Sequence, residues 1–281
     1  MRKPYVVFST DFGLKDGAVC SMYGVVKSID PEIEMFNLTH EDTKFCTWTA
    51  SYRLWQSMAF WPKGTIFVSV VDPGVGTPRK ACVAKTSNGY YVVTPDNGSL
   101  TLVKEKFGID EVREIDETRN RLVGAGTEDV AIFHGRDLFA YCAGNLAAGL
   151  IDYEGGGPAY SVAEIICNPL PEAKITEGRA DGYVAMICPN FGCVDTNINY
   201  QQFVAAGFRH GDMVNTLVKH GEEVKFEGKV LFHRSFGYVA KGEPIIYNNE
   251  LNNLDLSLNE VSMGETYGIS YGPDWTISIW K

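Results

Sequence analysis

The chain predicts an α/β N-terminal domain with a mainly parallel sheet, followed by a small all-β, barrel-like C-terminal domain. Three features carry that prediction. Over the first 150 residues, short apolar runs alternate with amphipathic stretches in the order βαβαβ, with connections too short for anything but a layered parallel sheet. A glycine- and proline-rich passage then breaks the pattern, at Gly155-Gly156-Gly157-Pro158 and Asn168-Pro169-Leu170-Pro171. Beyond it, short runs rich in β-branched and aromatic residues recur between turns, as in a barrel. The boundaries predicted are residues 1–157 for the α/β domain, 158–176 for a linker and 177–281 for the barrel.

Tyr5 to Ser9 reads as the first strand and Gly17 to Ile29 as the helix behind it, stopped by Asp30-Pro31. Glu32 to Leu38 is the second strand, Thr47 to Ala59 the second helix, and Thr65 to Val71 a third strand apolar enough to be buried on both faces. Lys80 to Thr86 and Gly89 to Val93 read as further strands. Leu138, Tyr141, Cys142 and Leu146 recur at helical spacing and predict a helix over Asp137 to Ala148. In the second domain the predicted strands are Gly182 to Cys188, Met213 to Lys219, Glu222 to Phe226, Val230 to Phe232, Leu254 to Leu258 and Thr276 to Trp280.

The 281 residues are 45% hydrophobic, ample for two cores. The net charge of −10 gives no basic stripe and argues against nucleic-acid binding, while leaving a cationic substrate unpenalised. Seven cysteines in no regular framework point to a reducing compartment, read as the cytoplasm. No apolar run reaches the roughly 18 residues of a membrane span, and the N-terminal run is too short for a signal peptide.

The densest chemistry lies in Val70-Val71-Asp72-Pro73-Gly74-Val75-Gly76-Thr77-Pro78-Arg79. Asp72 ends the buried strand, where α/β sheets display ligand-binding groups, and the glycines fold Arg79 back within its reach. Three further motifs accompany it: Thr10-Asp11-Phe12-Gly13-Leu14-Lys15-Asp16, Thr94-Pro95-Asp96-Asn97-Gly98 and Phe133-His134-Gly135-Arg136-Asp137. Each has a plainer reading. Asp72 and Arg79 can brace a loop, His134 can be a satisfied, partly buried histidine, Asp11 can cap a helix, and Asp96 and Asn97 can form a turn.

In order and spacing, the four motifs resemble the S-adenosyl-L-methionine hydroxide adenosyltransferase family, the hydrolytic relatives of the fluorinase and chlorinase. The resemblance covers residues 5 to 150 densely and 178 to 270 more loosely. It implies an enzyme that cleaves the C5′–S bond of S-adenosylmethionine with water-derived hydroxide, giving adenosine and methionine. The sulfonium is already an activated leaving group, so neither metal nor cofactor is expected. Carried over by motif, Asp72, Arg79 and His134 form the water-activating set, and the retained acid and histidine favour hydroxide over halide. Asp11 would hold the ribose hydroxyls, with Asp16 as the alternative. Phe12, Phe45, Asp96, Asn97 and Phe133 would line the nucleoside pocket, although both Phe45 and Phe133 read equally as core. The resemblance also implies a homotrimer with sites at subunit interfaces.

The second domain departs from that pattern. Ile187-Cys188-Pro189-Asn190-Phe191-Gly192-Cys193-Val194-Asp195-Thr196-Asn197-Ile198 keeps Phe191, Gly192, Thr196, Asn197 and Ile198. The acid that would hold the methionine ammonium is replaced at Cys188 or Pro189, the adenine-reading asparagine is Cys193, and an expected serine falls near Glu250. Phe191, Cys193 and Asn197 are therefore the candidate substrate contacts of this domain. The two cysteines read as small buried thiols rather than half a metal site. Two rival functions follow: an enzyme acting on another 5′-substituted adenosine, or a nucleoside-binding protein without turnover.

Overall fold

The computed structural model describes residues 3–124 and 126–281. The chain divides into two compact units between Asn168 and Pro169.

The first unit is a seven-stranded sheet with helices on both faces. Its elements are β1 (Val6–Thr10), α1 (Ala18–Ile29), β2 (Met35–Thr39), α2 (Thr47–Met58), β3 (Ile66–Val70), β4 (Ala81–Thr86), β5 (Tyr91–Pro95), α3 (Thr101–Phe107), β6 (Ile109–Glu114), α4 (Glu117–Asn120), α5 (Tyr141–Ala148) and β7 (Ala159–Tyr160). The spatial order is β2-β1-β3-β5-β4-β6-β7. β1, β2, β3 and β5 run parallel, whereas β4, β6 and β7 pair antiparallel. Alternation along the strands divides the core. Val6, Phe8, Val68 and Val70 face Met22 and Val26 of α1 and Phe139 before α5, while Val7, Phe67 and Val92 face Leu54 and Met58 of α2 and Val103 of α3. Burial on both faces explains why these strands read as continuous apolar runs.

Three expectations are corrected here. The helix predicted from Asp137 opens earlier, as a π-helical turn over Gly135–Ala140 that runs into α5. α3 and β6 were not foreseen, because α3 is short and the sequence of β6, Ile-Asp-Glu-Val-Arg-Glu, is mostly charged. The passage 158–176 is not a free linker. β7 pairs with β6, Asn168 donates to Thr101 Oγ1 at 2.8 Å and to the Gly98 carbonyl at 3.1 Å, and the stretch from Pro169 belongs to the second unit.

That second unit comprises β8 (Lys174–Thr176), β9 (Arg179–Ile187), β10 (Val194–Asn199), α6 (Tyr200–Ala205), β11 (Met213–His220), β12 (Glu223–Phe232), β13 (Pro244–Asn248), β14 (Asn253–Leu258), α7 (Met263–Tyr267) and β15 (Gly272–Trp280). The order β10-β14-β13-β12-β11-β15-β9 closes through a β10–β9 pairing into a seven-stranded barrel, with β8 added outside on β9. Val184, Val194, Val218, Leu254, Leu256 and Ile277 fill its interior with Phe203 and Phe208, whose rings stack at 3.8 Å. The two strands expected over 222–226 and 230–232 are one, β12, which pairs along its length with β11. β10 and β13 were missed. Closure leaves the barrel without free edges except at β8.

Gly157 joins the sheet to its last strand at φ 146°, and a Cβ there would be driven into the Glu114 carbonyl of β6. Because the obstruction is backbone, Gly157→Ala is expected to lower stability by about 1–3 kcal/mol, read as a shifted urea midpoint.

Candidate active site

β1 and β3 end side by side, Thr10 opposite Val70, so the residues that follow them, Asp11 and Asp72, leave the same edge of the sheet. After Asp72 the chain turns tightly. Val75 donates to the Asp72 carbonyl and Thr77 to that of Gly74. Gly76 adopts φ 76°, and its hypothetical Cβ would stand 3.2 Å from the Ala131 carbonyl, so only glycine fits this bend without strain.

The turn delivers Arg79 onto Asp72. Nε lies 3.0 Å from each carboxylate oxygen and Nη2 2.5 Å from Oδ2, with both side chains largely withdrawn from solvent. The same Nη2 donates to Nδ1 of His134 at 2.9 Å, and the guanidinium carbon lies 5.3 Å from the Phe139 ring centroid. A guanidinium only donates. Nδ1 is therefore the acceptor, and the neutral ring carries its proton on Nε2. His134 is only 5% exposed. Burial and the neighbouring Arg79 charge both push its pKa below the usual imidazole value. The predicted Asp72, Arg79 and His134 thus form one hydrogen-bonded cluster, more than a loop brace between two of them.

Asp11 does not cap α1: the N-cap is Gly17, which has no side chain to cap with, and the Ala18 amide is taken by Asp16. Instead Asp11 Oδ2 accepts the Phe45 amide at 2.8 Å. Phe45 holds φ 64°, unusual for a non-glycine residue, and its ring is 73% exposed rather than core. Such a backbone costs about 1 kcal/mol or more and is typical of functional loops. Phe12 and Phe133 pack edge to face at 6.1 Å, and the Phe12 ring approaches Gly135 so closely that an added Cβ would lie 3.0 Å from it. These two rings therefore connect the Asp11 turn to the residue beside His134.

Asp96 and Asn97 differ from the pocket-lining expectation. Asp96 is buried, with Oδ1 accepting the Ile166 amide and Oδ2 the Tyr160 hydroxyl, both at 2.9 Å, and burial raises its pKa. Its carboxylate binds the 158–168 passage to the sheet. Asn97 Nδ2 donates to the Val71 carbonyl at 2.9 Å, so it positions the start of the Asp72 loop.

Sequence reasoning missed the polar network beneath Asp11. Phe12 N–H donates to Thr10 Oγ1 at 3.2 Å, and because His40 Nε2 faces the Asn37 Oδ1 acceptor at 3.0 Å, its Nδ1 accepts from the Thr10 hydroxyl at 2.8 Å. The His40 carbonyl accepts Gly13 N–H at 2.7 Å. Next to it, Asp42 accepts from Ser9 Oγ at 2.8 Å through Oδ2, while Oδ1 has no hydrogen-bond partner. Burial drives the Asp42 pKa up to about 6. The only sequence signal was a histidine and an acid placed just after a strand.

In the barrel, Phe191 is 74% exposed and Cys193 buried. Both line a cavity of about 410 Å³ together with Asn190, Phe236, Leu258 and Ser262. Behind Cys193, the Tyr247 hydroxyl contacts Cys193 Sγ at 3.4 Å, Asp255 Oδ2 at 3.3 Å and Ser257 Oγ at 3.1 Å, and Asn249 donates to Asp255 Oδ1 at 2.7 Å. Asp255 is buried opposite Asp195, and burial and that second carboxylate hold its pKa well above the ordinary range. Asn197 has a structural part in the barrel. Its Oδ1 accepts the Tyr183 amide and its Nδ2 donates to the Pro171 carbonyl, which holds the start of the unit against the barrel. Glu250 is exposed on the turn between β13 and β14.

A parallel-sheet unit with a buried acid–guanidinium–imidazole cluster at its strand ends, joined to a closed barrel with a cavity, defines a two-domain α/β plus β-barrel enzyme. Residues 6–155 match the SAM hydroxide adenosyltransferase N-terminal domain and residues 182–276 the C-terminal domain of the same family. The chain is 32% identical to the (R)-S-adenosyl-L-methionine hydrolase of Thermus thermophilus over 276 residues, covering 95% of this chain and 96% of that one. It is 30% identical to the protein of that name from Salinispora tropica, over 96% and 95% of the two chains. A crystal structure of an uncharacterized conserved protein from Thermotoga maritima superposes with a TM-score of 0.87 at 33% identity, over 98% of this chain and all of that one. The chain belongs to the SAM hydroxide adenosyltransferase family.

The orphaned Asp42 oxygen gives a pH test of the site's foundations. The unfolded carboxyl ionises near 3.8 and the folded one near about 6. Between those values the folded state holds the extra proton, so stability contributed at this position falls as pH rises through the window and is fully lost above it. Asp42→Asn is expected to be about 1–3 kcal/mol more stable than wild type at neutral pH, with the difference vanishing toward pH 4, as read by urea titrations.

Proposed function

We propose that the protein hydrolyses S-adenosylmethionine, with hydroxide attacking C5′ and methionine leaving as the neutral thioether, to give adenosine. The observation that carries this reading is the Arg79 guanidinium shared between Asp72 and the acceptor nitrogen of His134. With Nδ1 occupied, His134 offers a donor at Nε2, and N–H donors beside a guanidinium favour the anionic form of a bound water. Asp72 balances the cation, so the cluster stabilises hydroxide rather than attracting a free halide. Asp11, held by the Phe45 amide, takes the ribose hydroxyls, and the Phe45 ring covers the nucleoside. Cys193 and Phe191 contact the adenosyl compound from the barrel cavity. Two lines of evidence favour this substrate: the hydrolase names of the relatives, and the retention of all three cluster residues.

We also propose that the protein is a cytoplasmic homotrimer whose sites are shared between neighbouring subunits, a state that light scattering on the purified protein would test. Cys188 and Cys193 stand where the family reads the amino-acid tail and the base. These departures favour, as the second reading, turnover of another 5′-substituted adenosine.

Incubating the protein with S-adenosylmethionine should yield adenosine and methionine in equal amounts by chromatography; finding neither would defeat the first reading. His134→Ala and Asp72→Asn should each cut turnover about tenfold or more while calorimetric adenosine affinity changes little, because both act on the attacking oxygen. Equal loss of binding and turnover would assign them to nucleoside recognition instead.

The pH profile is a separate check. Because the neutral His134 is the competent form and its pKa lies below 6.5, turnover should be flat through neutrality and fall only as pH drops beneath the ordinary histidine range. A limb centred above pH 7 would contradict the lowered His134 pKa.

A further inference from the structure

We propose that Cys188 and Cys193 are a modification site: a dithiol that a small disulfide such as glutathione disulfide converts to a cross-hairpin linkage at the wall of the barrel cavity. The two cysteines close the β9–β10 hairpin. Ile187 pairs with Val194, so the next opposed pair outward is Cys188 and Cys193. Cys188 N–H donates to the Cys193 carbonyl at 2.9 Å, and Gly192 N–H to the Cys188 carbonyl at 2.8 Å, which fixes the loop between them. Opposed residues of antiparallel strands have Cα atoms about 4.5–5.5 Å apart, inside the range of roughly 4.4–6.8 Å that a disulfide spans. Their side chains share one face, since Val194 points into the barrel and its neighbour Cys193 points away. The Cys188 thiol and burial both raise the Cys193 pKa, as expected of two neighbouring thiols.

The environments assign the order of events. Cys188 is half exposed and Cys193 buried, so Cys188 meets the oxidant. Its thiolate attacks one sulfur of glutathione disulfide and releases one glutathione thiolate. Cys193 then gives up its proton and attacks the Cys188 sulfur, releasing the second glutathione. Two thiols lose two protons and two electrons, and glutathione disulfide gains them.

The linkage has a direct route to ligand binding. Cys193 lines the larger cavity with Asn190 and Phe191, and Cys188 lines a second hollow with Pro189, Gly192 and Ser262. Gly192, at φ 69°, packs so tightly on Ser262 that a Cβ would overlap its side chain. With the tip pinned there, drawing Cys193 Sγ toward Cys188 shifts the cavity wall and pulls the sulfur from the Tyr247 hydroxyl.

The test treats the full-length protein with glutathione disulfide, blocks remaining thiols and maps peptides by mass. The expected result is a 188–193 intramolecular linkage, absent in Cys188→Ser, with the exposed Cys20 and Cys167 carrying at most mixed glutathione disulfides. Recovery of Cys188 and Cys193 as free thiols, or each as a separate mixed disulfide, while Cys20 and Cys167 have reacted, would overturn the proposal. Calorimetry with S-adenosylmethionine, which rests on the function proposed above, should show affinity changing about fivefold or more on oxidation and returning with a dithiol reductant. A linkage with unchanged affinity would overturn the coupling to the cavity. If neither form binds S-adenosylmethionine, the substrate assignment fails and the peptide map alone decides the linkage.

Discussion

The candidate chemistry depends on one guanidinium held between a carboxylate and an imidazole. Arg79 neutralises the nearly buried Asp72 through two nitrogens and three hydrogen bonds, and fixes the tautomer of His134 with a fourth. Neither Asp72 nor Arg79 is stable in this place without the other. A buried carboxylate without its cation, or a buried cation without its carboxylate, costs several kcal/mol, far more than the pair contributes as a surface bridge would. The cluster is therefore a single electrostatic unit, and its members are not interchangeable with residues that merely repeat a charge. A lysine at position 79 would supply charge but not the planar fork that reaches two partners at once.

The rest of the first unit orients this cluster. Parallel pairing brings the ends of β1 and β3 to one edge, Asn97 ties the loop after β5 to the Val71 carbonyl, and the Phe12–Phe133 contact joins the Asp11 turn to the His134 segment. Below, Thr10 and His40 hold the backbone of the Asp11 turn by hydrogen bonds to Phe12 and Gly13. The placement of the cluster thus rests on groups outside it, a common arrangement where reacting groups must be fixed to fractions of an ångström.

Much of this was legible in the sequence. The βαβαβ alternation, the Asp72–Arg79 loop and the histidine motif are local signals, readable because apolar periodicity and glycine bends act over a few residues. Non-local signals were not. Asp96 sits in a turn motif, yet its role is set by Tyr160 and Ile166, more than sixty positions away. Asn197 matches a family motif, but its amide also bonds Tyr183 and Pro171, which the motif does not show. β6 is charged because it lies near the sheet's edge, and the 158–168 passage looks like a linker because its hydrogen-bonding partners lie far back in the chain. The Tyr247–Asp255 network left no mark, since a buried acid on a barrel strand looks like any exposed one until its neighbours are known.

The π-helical turn over Gly135–Ala140 carries a consequence of a different kind. A π-turn accommodates one residue more than an α-turn, and each residue of an α-helix advances about 100° around the axis. His134 stands immediately before that wide turn, so its bearing toward Arg79 is a matter of chain length as well as of residue identity. Deleting one position between 135 and 140 would let the segment close into an ordinary helix, and the imidazole would swing away although every member of the cluster remained in the sequence. In this stretch a change of count would move the imidazole even with every residue type kept, which makes the spacing between His134 and the apolar face of α5 a more telling mark of a working enzyme than the histidine alone.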